Sequence, residues 1–310
     1  MTRFKRPACW IDLALLFALP LMLAPWRALA AGPEGTFNGG RAFEDLKHLA
    51  SFGPRPAGSK PLSVTRKWIV SQLEQMGYKV EEDMFQGDTP FGPVTMFNLR
   101  VVIPGTSPKV VMLAGHYDTK RFEEFNFVGA NDGASSAAFL LEMARVLAHR
   151  KNKFTTWLVF FDGEEAMQNW SDTDKLYGSR HFAQKLTASG ELGRIQAMLL
   201  VDMIGDARLD IYRDGNSTAW LTDIVFKTAK RLGHGKKFID ETRAYDDDHM
   251  PFVNAGVSAV DIIDLDYGPN GSYWHTAKDT VDKCSPLSLT IVGQVVMGTI
   301  EELEKSSRLN

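Results

Sequence analysis

Trp157-Leu158-Val159-Phe160-Phe161-Asp162-Gly163-Glu164-Glu165-Ala166-Met167-Gln168-Asn169-Trp170 is the stretch from which the fold of this chain is read. Its first half is a short apolar run rich in β-branched and aromatic residues, the pattern of a strand buried on both faces. The run stops at Asp162-Gly163, and two adjacent carboxylates follow. Open α/β sheets bind their ligands outside the carboxyl ends of the strands, so chemistry is expected here. A lone Glu-Glu pair is more often a solvated acidic loop. Several other strand ends in this chain carry groups of the same kind, and that changes the reading.

Upstream, 109–115 reads as a central strand that delivers His116-Tyr117-Asp118, and Gly129-Ala130-Asn131-Asp132-Gly133 opens a long helix reaching about residue 149. Downstream, a helix over 177–186 leads to a strand over 198–201, which delivers Asp202. Then come a helix over 219–232, a short helix near 248–254 and a last buried strand over 257–263. A loop carrying Tyr273-Trp274-His275-Thr276 precedes an amphipathic helix over 287–303. Toward the amino terminus, helices are expected over 41–52 and 62–76, with Gly77 as a C-cap. Strands over 78–85 and 96–103 follow, joined by a glycine- and proline-rich loop over 86–94. Alternating strands and helices predict a three-layer α-β-α fold around a central mixed, mainly parallel sheet.

The chain has 310 residues, 44% of them hydrophobic, and a formal net charge of −3. That balance belongs to a soluble globular protein and gives no case for a nucleic-acid partner. Arg3, Lys5 and Arg6, an apolar run over 11–24 and the small-x-small pattern Ala28-Leu29-Ala30 read as a signal peptide over 1–30. One catalytic domain is expected over 31–310, exported to a periplasmic or secreted location, with no membrane association after cleavage. A retained membrane anchor is the alternative. Its apolar run is shorter than the ~20 residues that a spanning helix needs. Of the two cysteines, Cys9 would leave with the leader and Cys284 would stand alone, so the mature chain has no internal disulfide.

The polar residues that end strands or open helices are His116, Asp118, Asp132, Glu164, Glu165, Asp202, Asp247 and His275. Each has an ordinary explanation: Asp132 an N-cap, His275 an exposed loop histidine, Asp202 a backbone acceptor. Carboxylates converging on one sheet edge, however, repel each other unless a cation neutralises them. Imidazole plus carboxylates without cysteine suits zinc.

In this order the set resembles the zinc aminopeptidase family M28, over about residues 41–305. It is most similar to the glutaminyl-peptide cyclotransferase branch. The resemblance rests on His116-Tyr117-Asp118-Thr119-Lys120, Phe127-Val128-Gly129-Ala130-Asn131-Asp132, Asp162-Gly163-Glu164-Glu165-Ala166, Leu176-Tyr177-Gly178-Ser179-Arg180-His181, Asp247-Asp248-His249-Met250-Pro251-Phe252 and Trp274-His275-Thr276. It implies one zinc per chain held by Asp132, Glu165 and His275, with a position left open for substrate. It further implies that Glu164 is the general acid/base, bonded in a network with Asp202 and Asp247, and that Trp170 and Trp274 line the substrate pocket. The implied reaction cyclises N-terminal glutamine of peptides or proteins to pyroglutamate with release of ammonia, by a monomeric enzyme.

A two-zinc aminopeptidase uses the same order of ligand types, with His116 and Asp202 completing a second site; a catalytically silent binding domain is the third reading. Trp170 and the Asp247-Asp248-His249 run favour the cyclase. The chain also departs from the animal enzymes. They carry a disulfide between segments matching Gly115 and Ala137, neither of which is cysteine here. The loop before Trp274 is longer and more acidic than theirs, with Tyr267 and Tyr273 as candidates for the pocket rim.

Overall fold

The strand predicted before the Glu-Glu pair is one of the two central strands of a six-stranded sheet, in a computed structural model that describes residues 1–2 and 35–309. The chain falls into two compact units, Met1–Ala31 and Gly32–Asn310. All that follows concerns the second unit. The expected signal peptide lies almost wholly outside the described residues.

In chain order the elements are α1 (Gly39–Ser51), α2 (Lys60–Gln75), β1 (Val80–Thr89), β2 (Gly92–Ile103), β3 (Ser107–His116), α3 (Ala134–Ala148), β4 (Phe154–Phe161) and α4 (Tyr177–Ser189). They continue with β5 (Ile195–Asp202), β6 (Ile211–Asp214), α5 (Ala219–Arg231), β7 (Phe238–Arg243), α6 (Met250–Asn254), β8 (Ala259–Ile263) and α7 (Pro286–Lys305). The main sheet runs β1-β2-β4-β3-β5-β8. Its β4-β3-β5-β8 part is parallel, and the β1-β2 hairpin attaches to β4 antiparallel.

Side chains alternate between the two faces of a strand, and here both faces are apolar. Leu158 and Phe160 of β4, with Leu199 and Val201 of β5, pack into the larger core under α1, α3, α5 and α7. Trp157, Val159 and Phe161 turn the other way, with Met198 and Leu200, against Phe182 and Leu186 of α4 and Phe252 of α6. Truncating any one of these fully buried side chains to alanine would cost ~2–5 kcal/mol.

Three details differ from the sequence reading. The expected loop over 86–94 is mostly strand: β1 runs to Thr89, β2 starts at Gly92, and only Pro90 and Phe91 turn between them. Pairing along a sheet edge does not need the apolar alternation by which strands are recognised. Strands β6 and β7 form a separate parallel pair that the sequence pattern does not show, because Arg213, Asp214, Asp240, Glu241 and Arg243 make them look like loops. Finally, Asp132 is not an N-cap: α3 begins after Gly133, whose φ of 91° suits glycine and whose Cβ, if it had one, would lie 2.2 Å from the Asp118 carbonyl oxygen. Asp132 is thereby released for another task.

Candidate active site

The carboxyl ends of the parallel strands place the predicted residues side by side. His116 is the last residue of β3 and Asp202 the last of β5, while Glu164 and Glu165 follow β4. Asp132 precedes α3, Asp247 lies in the turn before α6, and His275 sits in the loop after β8. A cavity of about 530 Å³ is lined by Asp132, Glu164, Glu165, Trp170, Asp202, Asp247, Trp274 and His275 together. A larger groove of about 780 Å³ between α4 and α6 contains no such set.

At the cavity floor, His275 Nε2 lies 3.0 Å from Glu165 Oε1 and 3.3 Å from Asp132 Oδ2. Asp132 Oδ2 and Glu165 Oε2 are buried and accept no properly directed hydrogen bond. Burial would depress the His275 imidazolium, but Glu165 and Asp132 outweigh it and push its pKa up to about 10. That is the potential a bound cation would feel, and two carboxylates with one imidazole are hard-to-borderline donors suited to zinc. His275 itself has φ of 50°, and Met203, directly after Asp202, has φ of 51°. Such non-glycine residues are typically strained by about 1–3 kcal/mol and gather at functional sites.

Backbone contacts hold the carboxylates in place. The Asp118 carboxylate accepts the N–H groups of Glu164 at 3.2 Å and Glu165 at 3.4 Å, which fixes the turn after β4. Asp279 accepts the N–H groups of Asn131 at 2.8 Å and Asp132 at 3.1 Å, and also the Tyr267 hydroxyl at 2.8 Å. Fully buried Arg55 donates to the carbonyls of Val128 at 2.6 Å and Gly129 at 3.1 Å, bracing the loop that leads to Asp132. Sequence reading misses Arg55 and Asp279. Arg55 stands in a Gly-Pro-Arg-Pro run that reads only as a helix breaker, and Asp279 is one acid in a polar loop.

Burial pushes Glu164 well above the ordinary carboxylate range, and Glu165, Asp247 and Asp248 add to the effect against the opposing pull of His116. Asp247 is raised to about 7, first by burial and then by the charge of Asp202. Among the described residues no hydrogen bond joins the Glu164 carboxyl to Asp202 or Asp247, which act on their own neighbours. Asp202 Oδ1 pairs with His116 Nε2 at 3.0 Å rather than with Glu164, and Asp247 Oδ2 is buried with no hydrogen-bond partner. Of the three successive aspartates, Asp246 and Asp247 both line the cavity, Asp246 bonding the Trp170 indole, while Asp248 is fully buried beneath them.

The two indoles are each 42% exposed, and Trp274 stacks on the His275 ring at 4.3 Å between centroids. Tyr267 and Tyr273 do not line the cavity. Tyr267 is fully buried on Asp279, and Ile263, Leu265 and Tyr245 take the expected places. Where the animal enzymes have a disulfide, β3 and α3 approach so closely that a Cβ on Gly115 would stand 2.6 Å from Ser136 Cβ.

A parallel sheet that gathers acids and imidazoles at its carboxyl edge defines the class, and the chain belongs to peptidase family M28, whose model matches residues 98–300. Its relatives narrow this to one branch. The glutaminyl-peptide cyclotransferase of Dictyostelium discoideum is 30% identical over 303 residues, covering 82% of each chain. The crystal structure of an Acidobacteriales bacterium glutaminyl cyclase is 42% identical, with a TM-score of 0.84 over 87% of this chain and 96% of that one. A leucine aminopeptidase precursor from Bacteroides thetaiotaomicron is 27% identical, with a TM-score of 0.77 over 86% of this chain and 97% of its own. Within the family, the chain belongs with the glutaminyl-peptide cyclotransferases.

Proposed function

We propose that residues 31–310 form a zinc-dependent glutaminyl-peptide cyclotransferase that closes an N-terminal glutamine of a peptide or protein to pyroglutamate and releases ammonia. The observation that carries it is the Asp132–Glu165–His275 cluster in one cavity with Glu164, outside that cluster and raised in proton affinity by burial, and two indoles. Asp132, Glu165 and His275 would hold one zinc. Bound there, it would act as a Lewis acid on the γ-amide carbonyl, a poor electrophile.

The chain's own residues account for the rest. As the bond between the α-nitrogen and the carbonyl carbon of the γ-amide forms, the amine gives up a proton; as the bond from that carbon to the amide nitrogen breaks, ammonia needs one. A carboxyl whose proton affinity is raised by burial can do both near neutral pH, and Glu164 is such a group. Its carboxylate also lies 4.0 Å from His116 Nδ1, within reach of a group that favours the ionised form. Both reacting groups belong to one residue, so the pocket's main task is to fold that side chain back on itself. Trp170 and Trp274 would serve as the walls that do so.

Asp247 would tune Glu164 through charge, and Asp202 would act through Asp247 and His116. The leader reading places the mature chain in an exported compartment; among the described residues no helix is long and apolar enough to cross a membrane. Incubating the mature protein with glutaminyl and leucyl dipeptides tests the proposal. Ammonia from the first supports it, and free leucine from the second would move the assignment to an aminopeptidase.

A further inference from the structure

Trp170 has much of its surface in solvent, yet its indole is held by neighbours at the cavity rim, Asp246 among them. The turn that carries it is clamped by Asp174, whose carboxylate accepts the N–H groups of Met167 at 2.7 Å, Gln168 at 2.9 Å and Asn169 at 2.9 Å and the hydroxyl of Tyr177 at 2.7 Å. That clamp stops one residue short of the indole. The indole itself donates through Nε1 to Asp246 Oδ2 at 3.2 Å. The same oxygen takes the ammonium of Lys175, which also lies 5.5 Å from the centroid of the Trp170 ring. Lys175 has a further acidic neighbour in Asp172, at 3.7 Å, and its side chain is only 11% exposed. Trp274 needs no such latch, because it rests on a proposed zinc ligand, His275. The two walls are thus held by different devices, and that of Trp170 ends on the residue immediately before Asp247.

We infer that Asp246, anchored by Lys175, is a positioning residue that fixes the Trp170 indole as one wall of the glutamine slot. This rests on the reading of Trp170 as a wall. An unlatched indole on a surface turn has several rotamers, and the entropy of choosing one would then fall on substrate binding. The latch removes that cost before substrate arrives, so its loss should raise KM more than it lowers kcat.

The experiment compares wild type, Asp246→Ala, Lys175→Met, Trp170→Ala and the Asp246→Ala/Trp170→Ala double variant, measuring ammonia release from a glutaminyl peptide, zinc content and thermal midpoint. Asp246 is exposed, so its variants should keep wild-type zinc and midpoint. Asp246→Ala should raise KM about three- to tenfold with kcat within about twofold, the scale of one lost hydrogen bond. Lys175→Met should move KM the same way by less, and the double variant should be no worse than Trp170→Ala alone. Wild-type KM in Asp246→Ala, or an Asp246 effect that persists in full without the indole, would overturn the inference. Wild-type KM in Trp170→Ala would instead remove the wall reading on which it stands.

Discussion

His116 Nε2 stands 3.0 Å from Asp202 Oδ1, the same separation at which His275 Nε2 faces Glu165 Oε1. Asp132 Oδ1 also lies 3.3 Å from His116 Nε2, while its other oxygen faces His275. Asp132 therefore joins two candidate ligand groups, one with His116 and Asp202 and one with Glu165 and His275. The second group adds Glu165 Oε2 to Asp132 Oδ2 as buried carboxylate oxygens that accept no hydrogen bond, which favours a cation there. Purified protein should contain about one zinc per chain. His275→Ala should lose it and His116→Ala should retain it, measured by elemental analysis after gel filtration. Two tightly held zincs, both lost in His116→Ala, would favour the aminopeptidase.

Glu164→Gln removes the proton carrier and changes little else, because the turn that holds residue 164 is fixed through its backbone N–H by Asp118. The variant should keep zinc and its thermal midpoint. Its kcat should fall by ~10²–10⁴, the usual worth of a positioned general base. Steady-state ammonia release checks this, and turnover near wild type would remove Glu164 from its role.

The acid limb of the pH–rate profile should report the same carboxyl. Glu164 takes the amine's proton in its ionised form, so the rate should rise as pH climbs through its elevated pKa. Burial and the negative charge of Asp247 are among the causes of that elevation. Asp247→Asn removes one of those charges, so the acid limb of kcat/KM should move to lower pH. A limb that stays in place, or moves upward, would mean that Asp247 acts by another route.

The parallel core is legible in the sequence because β4 and β5 are apolar on both faces, and such strands leave few alternatives. The acids and imidazoles of the cavity are legible because each follows a strand or opens a helix. What escapes is held together by backbone. Arg55 and Asp279 place Asp132 by contacting carbonyls and N–H groups from distant segments, and no spacing rule announces such contacts. The rim assignment fails for a related reason. Tyr267 has a hydroxyl that Asp279 captures beneath the surface, so an aromatic residue in the right loop becomes core.

His249, singled out in the sequence but absent from the cavity, supports the fold beneath Asp247. Its ring is fully buried between Asp214, 3.0 Å from Nε2, and Asp261, 3.9 Å from Nδ1. Asp214 is otherwise well satisfied, accepting from Ser217 Oγ at 2.6 Å and from the N–H groups of Asn216 at 3.1 Å and Tyr245 at 3.0 Å. Burial alone would raise the Asp214 pKa, but His249 and these donors outweigh it and hold it below the ordinary value. A group depressed in this way stabilises the fold above the unfolded carboxylate pKa of about 4 and loses that contribution as pH falls through its folded value. His249→Ala would leave Asp214 with its three neutral donors but no imidazole, opposite Asp261, so it should cost ~1–3 kcal/mol at neutral pH. Urea titrations at pH 7 and near pH 4 would measure the difference from wild type. It should shrink toward acid, where the carboxylates no longer need the ring; a cost independent of pH would instead point to lost packing.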